Sequence, residues 1–149
     1  MSRNIVVRAV IIRNGELFVV RNKDKQGNPQ KWLNLVGGKV EDGEGIVDAM
    51  IREVIEETGI TPIIGNLLFI QQFGRSGNEP KEFVEFFFDI KNVEDFAEIN
   101  LASTTHGLEE LSEAKFVNPK NNAEILPKFL SSIDFDGLSS NNVQFFNYL

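Results

Sequence analysis

The spacing of hydrophobic and polar positions changes period several times along the chain, and each change marks an element. Ile5 to Ile12 is a β-branched run and Leu17 to Val20 a second, separated by Arg13-Asn14-Gly15-Glu16. Asn-Gly between two such runs predicts a hairpin. In the first strand Ile5, Val7, Ala9 and Ile11 face one way, and Val6, Arg8, Val10 and Ile12 the other. Arg8 thus interrupts an apolar face, which leaves two readings: pairing at a sheet edge, or a position in a cleft that holds an anion. Arg21, at the end of the second run, carries the same two readings. Trp32 to Leu35 predicts a short strand, and Ile63 to Phe73 a longer one, bent at Gly65-Asn66. In the strand from Lys81 to Ile90, the set Val84, Phe86, Phe88 and Ile90 is expected in a core. Phe83, Glu85, Phe87 and Asp89 mix aromatics with acids, as a cleft wall or a solvated face would. Phe73 and Phe83 are candidates to stack on a nucleobase, or simply to fill the interior. Ala114 to Val117 reads as a final strand. Helical character follows Pro119 to about Leu130, with a break near Pro127.

From Gly45 to Thr58 the period becomes that of a helix, and Gly59 stands at the C-cap. Met50, Val54, Val47, Thr58 and Ile51 fall on one continuous stripe, while Glu53, Glu56 and Glu57 share the adjoining one at i, i+3 and i+4. Such like charges cost a helix roughly 0.2–0.5 kcal/mol per pair. A hard divalent cation would offset that cost, since Mg²⁺ favours carboxylate oxygens and sits between them and substrate phosphates. A solvated acidic face is the plainer reading of the same stripe.

The wider spacing separates these readings. Gly38, five residues, Glu44, seven residues, Arg52-Glu53, Val54, Ile55, Glu56-Glu57, Thr58, Gly59 and Ile60 together resemble the box of the Nudix hydrolase family (MutT-like) without a departure. The box covers 23 residues, and looser resemblance runs from Ile5 to Phe129. The family usually places proline before the two glycines, where this chain has Val36.

The resemblance implies an α/β fold, a Nudix-type α/β/α sandwich with a mixed β-sheet between helices. It implies Mg²⁺ (or Mn²⁺) as cofactor and hydrolysis of a pyrophosphate bond in a nucleoside diphosphate linked to another moiety. Glu56 and Glu57 would be metal ligands, with Glu53 a third ligand or the general base and a backbone carbonyl at Gly37 or Gly38 completing the shell. Arg52 would brace the carboxylates, and Glu44 would support the loop or touch the metal through water. Where the base instead lies after the box, Glu98, Glu109 and Glu110 are the candidates. Arg8, Arg21, Phe73 and Phe83 are the candidate substrate contacts. Other readings are a non-catalytic nucleotide-binding module on the same fold and an RNA 5′-end pyrophosphohydrolase. An isoprenoid diphosphate isomerase is a third, but it would need a cysteine that this chain lacks.

Composition narrows the partners. The 149 residues, 42% of them hydrophobic, suit one domain spanning 1–149. Twenty-two acidic against fifteen basic residues give a net charge of −7, which disfavours long nucleic acid but leaves a small phosphorylated ligand open. Without cysteine there is no disulfide, and no apolar run approaches a membrane span. A soluble cytoplasmic protein is the expectation. The segment Lys91 to Glu113 holds several glutamates and the single histidine, His106, a weak candidate for ligand or base. Ser131 to Leu149 is too apolar for a free tail and is expected to dock on the body or on a second subunit, which makes a homodimer plausible.

Overall fold

The computed structural model describes residues 2–104, 107–138 and 142–149. Its strands are β1 (Ser2–Val10), β2 (Ile12–Arg13), β3 (Glu16–Lys23), β4 (Pro29–Asn34), β5 (Gly37–Lys39), β6 (Ile64–Arg75), β7 (Lys81–Ile90), β8 (Leu111–Val117) and β9 (Gln144–Asn147). The long helix α1 covers Ile46–Thr58, and a single helical turn, α2, covers Gly107–Glu110.

The Asn14-Gly15 hairpin forms as expected. Both residues have positive φ (51° and 78°), and Ile12 and Arg13 pair with Leu17 and Glu16. The first run is nevertheless not one strand. It breaks at Ile11, after which the chain changes sheets. β1 belongs to a mixed five-stranded sheet, β5-β1-β7-β6-β9, in which β1 runs parallel to β7 and β9 parallel to β6. The hairpin belongs to a second sheet, in which β3 pairs with β2, β4 and β8.

This switch of sheets lets one alternating strand serve two cores. Val7, Ala9 and Ile11 pack with Phe18, Met50, Val54 and Phe96 under α1, whereas Val10 packs with Leu17, Leu33, Phe69, Phe87, Ile125 and Leu130 on the opposite face. That second layer departs from expectation. Among the described residues no full helix follows Pro119. The segment makes short 3₁₀ turns at Pro119–Asn121 and Lys128–Ser132 instead, because prolines and asparagines there withhold donors or favour turns. Leu33 holds the segment between Glu124 and Leu126 by two backbone hydrogen bonds of 2.9 Å.

β7 also differs from its reading. The buried positions are Glu85, Phe87 and Ile90, while Val84 and Phe86 are only partly covered. The mixed set lies under the C-terminal layer, and that layer covers more than the pattern suggests. The tail docks on its own chain. β9 pairs with β6, and Phe146 stacks on Phe129 with ring centroids 4.0 Å apart and an interplanar angle of 5°. Ala114 to Val117 is therefore not the last strand. Among the described residues no helix is long and apolar enough to cross a membrane.

Candidate active site

The glycine loop is shaped by contacts that admit no side chain. Gly37 lies at φ 153° with its α-carbon against the backbone of Val7 and Arg8, and a Cβ on Gly38 would meet Glu53 Oε1 at 2.5 Å. Glycine is needed here for close approach. β5 then leads into α1, whose C-terminus is closed by Gly59 at φ 74° with its N–H on the Ile55 carbonyl.

The buried stripe of α1 is Ala49, Met50, Val54, Glu57 and Thr58, while Val47 is 46% exposed. The helix is therefore turned further toward its glutamates than apolar periodicity indicates, and Val47 is a correction to that reading. Glu57 consequently sits on the buried side, 6% exposed, with an Oε2 that has no hydrogen-bond partner. Burial pushes its pKa up to about 8, assisted by the charges of Glu53, Glu110 and Glu56 and opposed by Arg8. Burial likewise raises the Glu53 carboxyl, against the Arg52 guanidinium beside it.

Arg52 gathers the rest. Its Nε donates to Glu44 Oε2 at 2.7 Å, its Nη2 to Glu44 Oε1 at 2.9 Å and to the Lys39 carbonyl at 3.1 Å. Its Nη1 reaches Glu53 Oε1 at 2.8 Å and Glu56 Oε2 at 3.3 Å. These bonds hold Glu44 at about pKa 2, with help from the Glu41 N–H. Glu44 thus ties the loop to the helix through a charge-assisted fork.

Gly38, Arg52, Glu53, Glu56, Glu57, Arg8 and Glu110 line one open cleft of about 520 Å³. Among the loop glutamates it is Glu110, on α2, that reaches this cleft; Glu98 and Glu109 are not among its lining residues. His106 lies outside the described residues. The donors suit a hard divalent cation, and the unpartnered Glu57 oxygen is the kind of group such an ion satisfies. Among the described residues, however, no three acidic side chains already converge as an ion's ligand set. Arg52 Nη1 engages one oxygen each of Glu53 and Glu56.

Arg8 also lines a second cavity, of about 440 Å³, with Asn34, Gln71, Phe73, Arg75, Glu85, Phe129 and Tyr148. It is built on the sheet face that forms the second core. Along β6 the same-face series is Phe69, Gln71, Phe73, Arg75, and along β7 it is Phe87, Glu85, Phe83. Where apolar residues give way to Gln71 and Glu85, the core opens into a pocket. Glu85 Oε2 accepts from Gln71 Nε2 at 3.3 Å, and its Oε1 lies 3.6 Å from Arg8 Nη2. Arg8 Nη1 donates to the Leu35 carbonyl at 3.2 Å. Arg8 is thus paired, though on an interior strand rather than at a sheet edge, and it lines both cavities.

The other sequence candidates separate. Phe73 and Phe83 stack on each other at 5.0 Å, with Arg75 over Phe83 at 5.0 Å. Phe73 lines the pocket, whereas Phe83, also a candidate contact, does not line it and reaches it only through its stack on Phe73. Arg21 is placed in neither cavity. It is engaged by Glu113 (2.8 Å), Glu124 (3.0 Å) and the Gln30 and Lys31 carbonyls, tying β3 to β8 and the C-terminal layer. Glu85 comes from the mixed set on β7 that could wall a cleft, and it does line this pocket; Asn34, Gln71 and Tyr148 were missed. Of these only Gln71, a polar interruption on the same face as the core residue Phe69, carried a signal that could have revealed it.

This glycine loop, carboxylate-bearing helix and mixed sheet are those of the NUDIX family, and the chain belongs to it: the NUDIX domain model matches residues 3–133. Within the family, the chain is 35% identical over 95 residues to an 8-oxo-dGTP diphosphatase of Haemophilus influenzae, covering 62% of this chain and 66% of that protein. It is 35% identical over 65 residues to an ADP-ribose pyrophosphatase of Methanocaldococcus jannaschii, covering 43% of this chain and 37% of that one. The matches thus span less than two thirds of each relative's length. The solution structure of the E. coli ORF135 protein shares the fold, with a TM-score of 0.62 at 20% identity over 87% of this chain and 85% of that one.

Proposed function

We propose that the protein is a Mg²⁺-dependent pyrophosphohydrolase acting on a small nucleoside diphosphate joined to another moiety. The observation that carries this reading is Glu57: a buried carboxylate with an unpartnered oxygen, in a cleft it shares with Glu53, Glu56 and Glu110. A bare acidic cleft would repel a diphosphate, so the site makes chemical sense only with positive charge added. A divalent cation held by Glu53, Glu56 and Glu57 would neutralise the phosphate oxygens and acidify the attacking water.

The chain's own residues do the rest. Arg52 and Glu44 fix the carboxylates relative to the glycine loop. Arg8, at the junction of the two cavities, orients a substrate phosphate. The 440 Å³ pocket seats the nucleoside. Glu53, or Glu110 from α2, accepts the proton of the attacking water. A single domain spanning 1–149 goes with this assignment, since the two cavities draw lining residues from Val6 to Tyr148 and share Arg8.

Product release from a panel of nucleoside triphosphates, nucleotide sugars and ADP-ribose, with Mg²⁺ or with EDTA, tests the proposal. Cleavage of a P–O–P bond that is lost in EDTA and in Glu57→Gln is expected. Turnover that survives Glu57→Gln, or no cleavage of any nucleotide, overturns it. The hold of Arg52 on Glu53 and Glu56 favours one alternative, a nucleotide-binding module, whose signature is saturable binding without cleavage.

A further inference from the structure

We propose that the C-terminal strand is a specificity element of this site, with Tyr148 forming the outer wall of the pocket and laying its ring against the nucleobase of the substrate. The inference rests on the nucleotide reading above and goes beyond it, because Tyr148 lies outside the catalytic box and outside the span matched by the family model.

The argument begins with backbone. β9 pairs with β6 in register from Phe69↔Gln144 to Gln72↔Asn147. The ladder runs one residue further, since the Tyr148 N–H donates to the Gln72 carbonyl at 2.8 Å. Alternation along this extended segment puts Gln144, Phe146 and Tyr148 on one face. Phe146 is anchored in the second core through Phe129 and Phe69. Tyr148 is therefore aimed the same way, two residues on, where that core has opened into the pocket. A local turn spans it, the Leu149 N–H donating to Asn147 Oδ1 at 3.0 Å.

The surroundings specify what the ring meets. Tyr148 is 58% exposed although it lines a cavity, so it stands at the mouth with much of its surface open to a ligand. Phe73, Arg75 and Lys128 share that mouth, while Asn34, Gln71 and Glu85 provide polar groups deeper in. Aromatic and cationic walls over a polar interior suit a flat heteroaromatic group that stacks at the rim and presents its edge inward. Arg8 lines both cavities, so a base in the pocket places its phosphates beside the glutamates of α1. A ligand with no base gains nothing from Tyr148.

The test uses the fact that Tyr148 is the chain's only tyrosine, so labelling tyrosine alone isolates its ring NMR signals. Adenosine and guanosine α,β-methylene diphosphates, which resist hydrolysis, are titrated in Mg²⁺ against methylenediphosphonate, which has no base. Saturation with at least one nucleotide analogue is expected to shift the Tyr148 ring signals, and methylenediphosphonate to leave them in place. On whichever substrate the panel identifies, Tyr148→Ala is expected to raise KM about tenfold with kcat within about twofold, the scale of a lost base–aromatic stack. Tyr148→Phe retains the wild-type KM. Unmoved ring signals with both analogues, or a wild-type KM in Tyr148→Ala, overturn the proposal. Shifted signals in a protein that cleaves nothing overturn the hydrolase reading alone. Cleavage with an unaffected Tyr148→Ala overturns this inference alone.

Discussion

Glu57 concentrates the conflict that defines the site: a carboxylate placed on the buried face of a helix, between Arg8 and three other glutamates. Its consequence for stability has a definite sign. The folded-state pKa of about 8 stands above the ordinary 4.5, so between those values the native state holds more protons than the unfolded one. Stability without metal is then fully present below about pH 4.5 and declines as pH rises through 8. The Glu44–Arg52 pair acts in a separate window, since its depressed carboxyl contributes above pH 4.5 and is lost toward pH 2. In EDTA, the melting temperature of the wild type should therefore fall between pH 5 and pH 9 more than that of Glu57→Gln. Mg²⁺ should restore the wild type at pH 8 and leave the variant unmoved, because a ligand stabilises only the state that binds it. Parallel pH profiles for the two proteins in EDTA would show that Glu57 ionises as freely as a surface glutamate.

At the scale of the element, α1 is a short helix whose two ends do different work. Its start is reached through a glycine loop that must touch Glu53, and its finish depends on the left-handed Gly59. A Cβ on Gly59 would meet Thr104 Cγ2 at 3.5 Å, an ordinary contact, so Gly59→Ala costs backbone strain and little else. The expected loss is about 1 kcal/mol, or roughly 2–4 °C in melting temperature for a chain of this size, with kcat preserved. Denaturant melts and steady-state assays on the same preparation check this; a kcat loss beyond about threefold would mean that the cap also positions the carboxylates. Gly38→Ala makes the contrast, since its Cβ would occupy the space of the Glu53 carboxylate. Activity should fall far more than stability.

For the molecule as a whole, the second core joins the two halves of the site's architecture. Phe69 is fully buried and touches the rings of Phe87, Phe129 and Phe146. It thus connects the central sheet, the 3₁₀ layer and the tail strand. Phe69→Ala should cost about 3–5 kcal/mol, a large share of the roughly 5–15 kcal/mol that holds a typical domain. Phe129 and Phe146 of β9 would lose this shared anchor, so partial proteolysis should then release the C-terminal segment before the rest of the chain unfolds. Cleavage kinetics followed by mass spectrometry check the order; simultaneous loss of all regions would mean that the tail layer is not a separable unit.

The local features of this protein were legible in the chain itself. Asn14-Gly15 demands a tight turn, Gly59 ends a helix, and the glycine and glutamate spacing of residues 38 to 60 reports the Nudix box, because each is written within one continuous stretch of chain. The tertiary structure alone decided how far α1 is rotated, and hence that Glu57 is buried while Val47 is not. It also decided that β1 divides its two faces between two cores, that Arg21 is consumed by ion pairs while Arg8 faces a cleft, and that a residue next to the C-terminus reaches the wall of a pocket built on β6. The physical reason is common to all of these. Burial and pairing depend on which distant segment covers a face, and alternation within one strand records that a face is apolar without recording what will lie on it.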